Sequence, residues 1–180
     1  VIDNIATTDV SCFGDTDGQM TISASGGAPG YTYSVDGGVS FQAPNNFTGL
    51  APGNYNVQVN DVNSCPATAV AIIGETLVLQ IDNIAVTDVT CNGLQDGAIK
   101  VTASQGSPAY LYSIGGGATF QASATFNGLG AGNITVDVED NNGCFASGNA
   151  VISESQPLVA ALVNDTTICI GGTANLCATT

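Results

Sequence analysis

Three observations in this 180-residue sequence predict an all-β fold. Apolar residues alternate with polar ones at Met20, Ile22 and Ala24, at Tyr31, Tyr33 and Val35, and at Tyr55, Val57 and Val59. Period-two alternation marks strands with one buried face. Turn signals punctuate these runs about every ten residues: Gly26-Gly27, Gly37-Gly38, Pro52-Gly53 and Asn63-Ser64. The whole pattern then recurs, and no stretch shows helical periodicity with caps.

The recurrence is a gapless shift of 79 residues, which carries Ile2–Ala6 onto Ile81–Ala85, both I-D-N-I-A. It carries Cys12 onto Cys91, Asp17-Gly18 onto Asp96-Gly97, and Tyr31, Tyr33 and Ser34 onto Tyr110, Tyr112 and Ser113. Farther on, Phe41-Gln42-Ala43 falls on Phe120-Gln121-Ala122, Gly49-Leu50 on Gly128-Leu129, and Asp61, Asn63 and Cys65 on Asp140, Asn142 and Cys144. Short strands over about 80 residues point to an immunoglobulin-like β-sandwich. The expected architecture is therefore a set of tandem sandwiches in an extended rod, with repeats at 1–76 and 77–157. Residues 158–180 break the pattern and read as the first strand of a further, different module, or as a strand donated to a neighbour. Leu50–Tyr55 reads as the corner leading into a central strand, although Ile134 replaces Tyr55 in the second copy.

Composition excludes several functions. Fifteen Asp or Glu stand against one Lys or Arg, with no His, for a net charge of −14. Binding nucleic acid or an anionic membrane surface needs cations that this chain lacks. A His general base or a His-ligated metal has no candidate. No apolar run approaches the roughly 18 residues of a membrane span. No catalytic residue is assigned: Lys100, the one basic side chain, is Thr21 in the other copy. The sequence reads as a stretch of a longer mature protein.

Six cysteines in so small a chain point to disulfides and an oxidising compartment: Cys12, Cys65, Cys91, Cys144, Cys169 and Cys177. None has the close pairing of a zinc site. Cys12–Cys65 and Cys91–Cys144 share one spacing, so pairing within each repeat is the expectation. Each such loop contributes about 4 kcal/mol in the chain-entropy model. A conflict accompanies it. A rod needs each unit's termini at opposite ends, hence an odd number of strands. With seven, the turn after the first strand and the turn before the last lie at opposite ends, beyond the roughly 7 Å reach of a disulfide. Either the strand count is unusual or the Cys12–Gly18 segment runs back along the sandwich. Cys169 and Cys177 pair locally or with partners elsewhere.

No cofactor is expected. Calcium is the one candidate, through Asp15, Asp17 and Gly18 or through Asp61 and Asn63, repeated as Asp140 and Asn142. The competing reading is that Asp and Asn stand in turns for backbone reasons, and Asp15 is Leu94 in the second copy. Tyr31, Tyr33, Tyr110 and Tyr112 fit core packing or, alternatively, a platform for sugar rings.

The ordered motifs Cys-x-Gly-x-x-Asp-Gly, Ala-Ser-x-Gly, Pro-x-Tyr-x-Tyr-Ser, Gly-Leu-x-x-Gly-Asn and Val-x-Val-x-Asp-x-Asn-x-Cys resemble the SprB repeat of surface adhesins from gliding Bacteroidetes, twice over between Val1 and about Leu158. The resemblance implies type IX secretion, display on the bacterial cell surface, and a role in adhesion or gliding within a long filament. Asp165-Thr166-Thr167 is similar to the O-glycan acceptor of such bacteria, which makes Thr166 a candidate glycosylation site. The expected function is a non-enzymatic, disulfide-stapled extracellular spacer whose partners are neighbouring repeats of the same chain. The alternatives are a module binding surface polysaccharide, an accessory module beside a secreted hydrolase, and a self-assembling homo-oligomeric filament subunit.

Overall fold

The computed structural model describes residues 1–157. The candidates Thr166, Cys169 and Cys177, and the module expected at 158–180, lie outside the described residues. Two compact units emerge. The first gathers Val1–Leu79 with the short segments Gln105–Pro108 and Asp140–Cys144; the second gathers Gln80–Ser104, Ala109–Glu139 and the described residues from Phe145 onward.

In the first unit the strands are β1 (Ile2–Thr8), β2 (Gly18–Ala24), β3 (Thr32–Ser34), β4 (Asn46–Leu50), β5 (Gly53–Asn60) and β6 (Pro66–Ile73). They form two antiparallel sheets, ordered β1-β2-β4 and β3-β5-β6. That is the immunoglobulin-like arrangement with the fourth strand of the series absent. Met20 and Ile22 from one sheet meet Tyr33, Val57, Val59, Ala71 and Ile73 from the other in a single core. Each of the Met, Ile and Val side chains stabilises by roughly 1.5–3 kcal/mol on burial. Gly18 opens β2 because nothing larger fits: a Cβ there would lie 2.8 Å from the Leu50 carbonyl oxygen and 2.7 Å from Ile73.

The second unit repeats this plan with β7 (Gln80–Thr87), β8 (Gly97–Ser104), β9 (Leu111–Ile114), β10 (Thr125–Leu129), β11 (Gly132–Glu139) and β12 (Phe145–Ile152). Its sheets are ordered β10-β8-β7 and β12-β11-β9. Val89, Ile99, Val101, Tyr112, Val136, Val138, Ala150 and Ile152 are buried, and each stands 79 residues after a buried residue of the first unit.

Among the described residues six strands form each unit, not the odd number expected. The termini still part company, because residues 35–45 make the return journey without forming a strand. Gln42 bonds the Tyr33 backbone in both directions, at 2.8 and 2.9 Å, and Asn45 then bonds Ile22 on the opposite sheet at 2.9 Å. As a result β1 and β6 run the same way. Val10 N–H donates to the Gly74 carbonyl at 3.3 Å, which puts the end of β1 beside the end of β6. At the other end a shallow cleft is lined by Val1, Gly27, Tyr31, Asp61, Cys65 and Pro66. The chain thus enters the unit at one end, here the leading end, and leaves at the other, the trailing end.

Candidate functional site

The candidate residues cluster in two loops at opposite ends of the unit. At the trailing end, residues 9–17 follow β1. Asp17 accepts from the Ser11 N–H at 3.0 Å and from the Ser11 hydroxyl at 2.6 Å. These bonds, the hydroxyl first, hold its carboxyl below the usual aspartate range. The second unit builds the same cradle from Asp96 and Thr90, with the same lowering of the Asp96 carboxyl. Asp9 accepts from Gly74 N–H at 2.6 Å, and Glu75 accepts from Gly14 N–H at 3.0 Å. Asp88 with Ser153, and Glu154 with Gly93, repeat both latches. Sequence reading passed over Asp9 and Glu75 as site residues, although both recur at the 79-residue shift as Asp88 and Glu154. The Cys12–Gly18 segment therefore stays at the trailing end and does not run back along the sandwich.

At the leading end, Asp61 organises the β5–β6 turn. Its carboxylate accepts backbone N–H bonds from Asn63 and Cys65, both at 2.9 Å, and from Ala28 at 3.1 Å. Backbone donation, from Cys65 first and then Ala28, holds this carboxyl below its ordinary range. Gly27 must be glycine: its φ is +66° and a Cβ would lie 2.7 Å from the Asp61 carboxylate. Asp140 makes the matching bonds to Asn142, Cys144 and Ser107. Asp61 and Asp140, offered as calcium ligands, thus spend carboxylate oxygens on turn backbone. Among the described residues no three His, Cys, Asp or Glu side chains gather as a metal would require.

The disulfide departs from the expected pairing within each repeat. Cys12 bonds Cys144, with Cα atoms 5.6 Å apart and 132 residues of sequence between them, and Cys65 is an exposed free thiol. Asn142 Nδ2 supports the link by donating to the Ser11 carbonyl at 3.0 Å. Cys91, the copy of Cys12, is also disulfide-bonded. The physical reason lies in the topology. Cys12 sits at the trailing end of its sandwich and Cys65 at the leading end. The eight residues of β5 separate those ends by about 25 Å at roughly 3.3 Å per residue. A disulfide bridges Cα atoms only up to about 7 Å apart.

The tyrosines divide by position. Tyr33 and Tyr112 are core residues, about nine-tenths buried. Tyr31 is half-buried and donates its hydroxyl to the Gly26 carbonyl at 2.6 Å. Tyr55, at the start of β5, donates its hydroxyl to the Ala51 carbonyl at 2.7 Å. That is the tyrosine corner of immunoglobulin-like sandwiches.

A family model described as the SprB repeat matches residues 4–40 and again residues 83–119. The chain carries two SprB repeats. No curated protein matches it. Among solved structures, the SprB-repeat chain is similar to a C-terminal 282-residue fragment of intimin, solved with the intimin-binding domain of the translocated intimin receptor, at 16% identity and a TM-score of 0.42. The match covers 84% of this chain and 64% of that fragment. Domains 4–9 of the surface layer protein SbsC match at 15% identity and a TM-score of 0.36, over 88% of this chain and 31% of that one. Domains 1–6 of the same protein match at 16% and 0.36, over 87% and 28%. The chain thus spans less than two thirds of each of these structures, and TM-scores this low carry no functional argument.

Proposed function

We propose that this chain is an extracellular segment of a cell-surface protein, in which SprB units serve as non-enzymatic spacers for adhesion or gliding. The observation that carries the reading is the Cys12–Cys144 disulfide, a covalent tie from one copy of the repeat to the next. Such a bond persists in an oxidising, exported setting. Export through a type IX system, assembly into a filament and a bacterial outer surface belong to the same proposal. Each unit enters at one end and leaves at the other, so a pull between Val1 and Pro157 loads the ladders of β1 and β12 along the strands, many hydrogen bonds at once.

The disulfide shortens the load path. Between Val1 and Pro157, tension passes through residues 1–12, the sulfur bridge and residues 144–157. Fully extended, that path is roughly 90 Å at about 3.5 Å per residue, against roughly 550 Å for the reduced chain. Pairing within each repeat leaves roughly 190 Å by the same arithmetic. A spacer built this way keeps its length even when its sandwiches open. Single-molecule stretching with and without reductant tests this. The spacer reading expects unfolding without appreciable lengthening in the oxidised chain and a gain of several hundred ångströms after reduction. Equal lengthening in both states overturns it. The polysaccharide reading has less support, because Tyr33 and Tyr112 are committed to the core.

A further inference from the structure

We infer that Cys65 is a second covalent docking site, which accepts the trailing-loop cysteine, the equivalent of Cys12, of another SprB unit on its N-terminal side. The internal repeat supplies the comparison. Cys65 and Cys144 occupy the same position of the same turn, with the same carboxylate and the same backbone bonds. One of the two turns is seen docked. Cys144 holds Cys12, Asn142 holds the Ser11 carbonyl, and Asp140 is 4% exposed. The other turn carries every part of that dock: Cys65 is an exposed free thiol, Asn63 stands where Asn142 does, and Asp61 is only half-buried.

A second observation points the same way. Cys91 is disulfide-bonded, and Cys144 of its own repeat is taken by Cys12. Neither trailing-loop cysteine is thus bonded to the leading-loop cysteine of its own repeat. If every unit follows the Cys12–Cys144 pattern, a leading-loop cysteine always bonds the unit before it, and Cys65 is the next such position. A partner cysteine one repeat upstream would precede Cys65 by the same 132 residues that separate Cys12 from Cys144. Asn63 Nδ2 then donates to the carbonyl of the residue before the incoming cysteine, as Asn142 does to Ser11.

The chemistry is thiol oxidation. The Cys65 thiol and the incoming thiol each give up a proton, and an Sγ–Sγ bond forms. The two electrons pass to the disulfide of a thiol–disulfide oxidoreductase in the exporting compartment, which takes up two protons and becomes a dithiol. The inference does not depend on a role in adhesion. It concerns how units are joined, whatever the array does.

The test keeps the full chain and adds one unit. A copy of residues 1–79 is fused in register ahead of Val1, the product is oxidised, and thiols are alkylated under denaturing conditions without reductant. The expected result is a peptide joining the added copy's trailing-loop cysteine to Cys65, alongside the resident Cys12–Cys144 bond. Quantitative alkylation of Cys65 beside an intact Cys12–Cys144 overturns the inference. A second variant covers misfolding of the added copy. In the unextended chain, Cys144→Ser releases Cys12, and concentrated protein under oxidant is expected to form covalent multimers joined Cys12 to Cys65 between molecules. Monomers with both thiols alkylated, or Cys12–Cys65 bonds within one molecule, contradict it. Adding Asn63→Ala is expected to slow multimer formation severalfold.

Discussion

The two repeats differ most in the connection between the third and fourth strands of the sandwich. In the first unit, residues 35–41 are tied down by Asp36. Its carboxylate accepts from the hydroxyls of Ser34 and Ser40 and from the N–H groups of Val39 and Ser40. In the second unit Asp36 becomes Gly115, followed by Gly116 and Gly117, all at positive φ. The consequence reaches the core. Ser34 Oγ donates to Asp36 at 2.6 Å and accepts from Gly38 N–H at 2.9 Å, whereas Ser113 Oγ is buried with no hydrogen-bond partner among the described residues. Core positions, end loops and latches are held in both copies, while this connection is free to vary. It supplies the unit's return path, and any backbone that reaches from Tyr33 to Asn45 serves. The end loops, in contrast, carry the aspartate cradles and turns that both copies keep.

Four further measurements sharpen that comparison. The largest effect belongs to what the repeats share. Ile73→Ala and Ile152→Ala each empty a site that is 1% exposed, and each is expected to cost about 2–5 kcal/mol. Denaturant melts read by hydrogen exchange, unit by unit, check this. Matching losses support equivalent cores, and a several-fold difference breaks the equivalence.

Next comes the serine pair. Ser34→Ala strands the Gly38 amide and is expected to destabilise the first unit by about 1–3 kcal/mol. Ser113→Ala removes a hydroxyl that has no partner, so the same measurement is expected to show a change within about 0.5 kcal/mol or a small gain. Equal losses at the two serines would contradict the different roles assigned to them.

Acid supplies a subtler probe. The Ser34 hydroxyl, then the Ser40 hydroxyl and backbone, hold the Asp36 carboxyl far below its ordinary 3.8. A carboxyl whose folded pKa is depressed stabilises above the unfolded value and loses that stabilisation as pH falls through the folded one. The first unit is therefore expected to lose more stability than the second between about pH 4 and pH 2, because Gly115 offers no matching group. Melts across that window check the expectation, and Asp36→Asn is expected to narrow the gap. The smallest effect is backbone strain at Ser64, which holds φ at +63° where the second repeat has Gly143. Ser64→Gly is expected to change stability by at most about 1 kcal/mol, upward, in the same melts.

The sandwich was legible where burial alternates cleanly. In β2 and β5, Met20, Ile22, Val57 and Val59 face inward between polar neighbours. The edge strands were not. β6 exposes Val70 and Ile72 while burying Ala71 and Ile73, so its hydrophobicity has no period. β1 carries an irregularity between Ile2 and Asn4, and only Ile2 and Ile5 are half-buried. The Leu50–Tyr55 corner was readable, because the order of turn and strand residues fixes it locally. The cysteine connectivity was not, because a 79-residue period makes Cys65 and Cys144 equivalent partners on paper. Only the ends of the sandwich separate them, and those depend on residues 35–45 travelling the length of the unit without a strand to announce it. The conflict over strand parity was the trace of that geometry visible in the sequence.

A covalent tie, Cys12–Cys144, runs from one repeat to the next. Non-reducing peptide mapping of the oxidised full chain tests it directly. A peptide pair joining Cys12 to Cys144, with Cys65 recovered as an alkylated thiol, is the predicted result. Peptides joining Cys12 to Cys65 and Cys91 to Cys144 would contradict it and return the molecule to two separately stapled sandwiches.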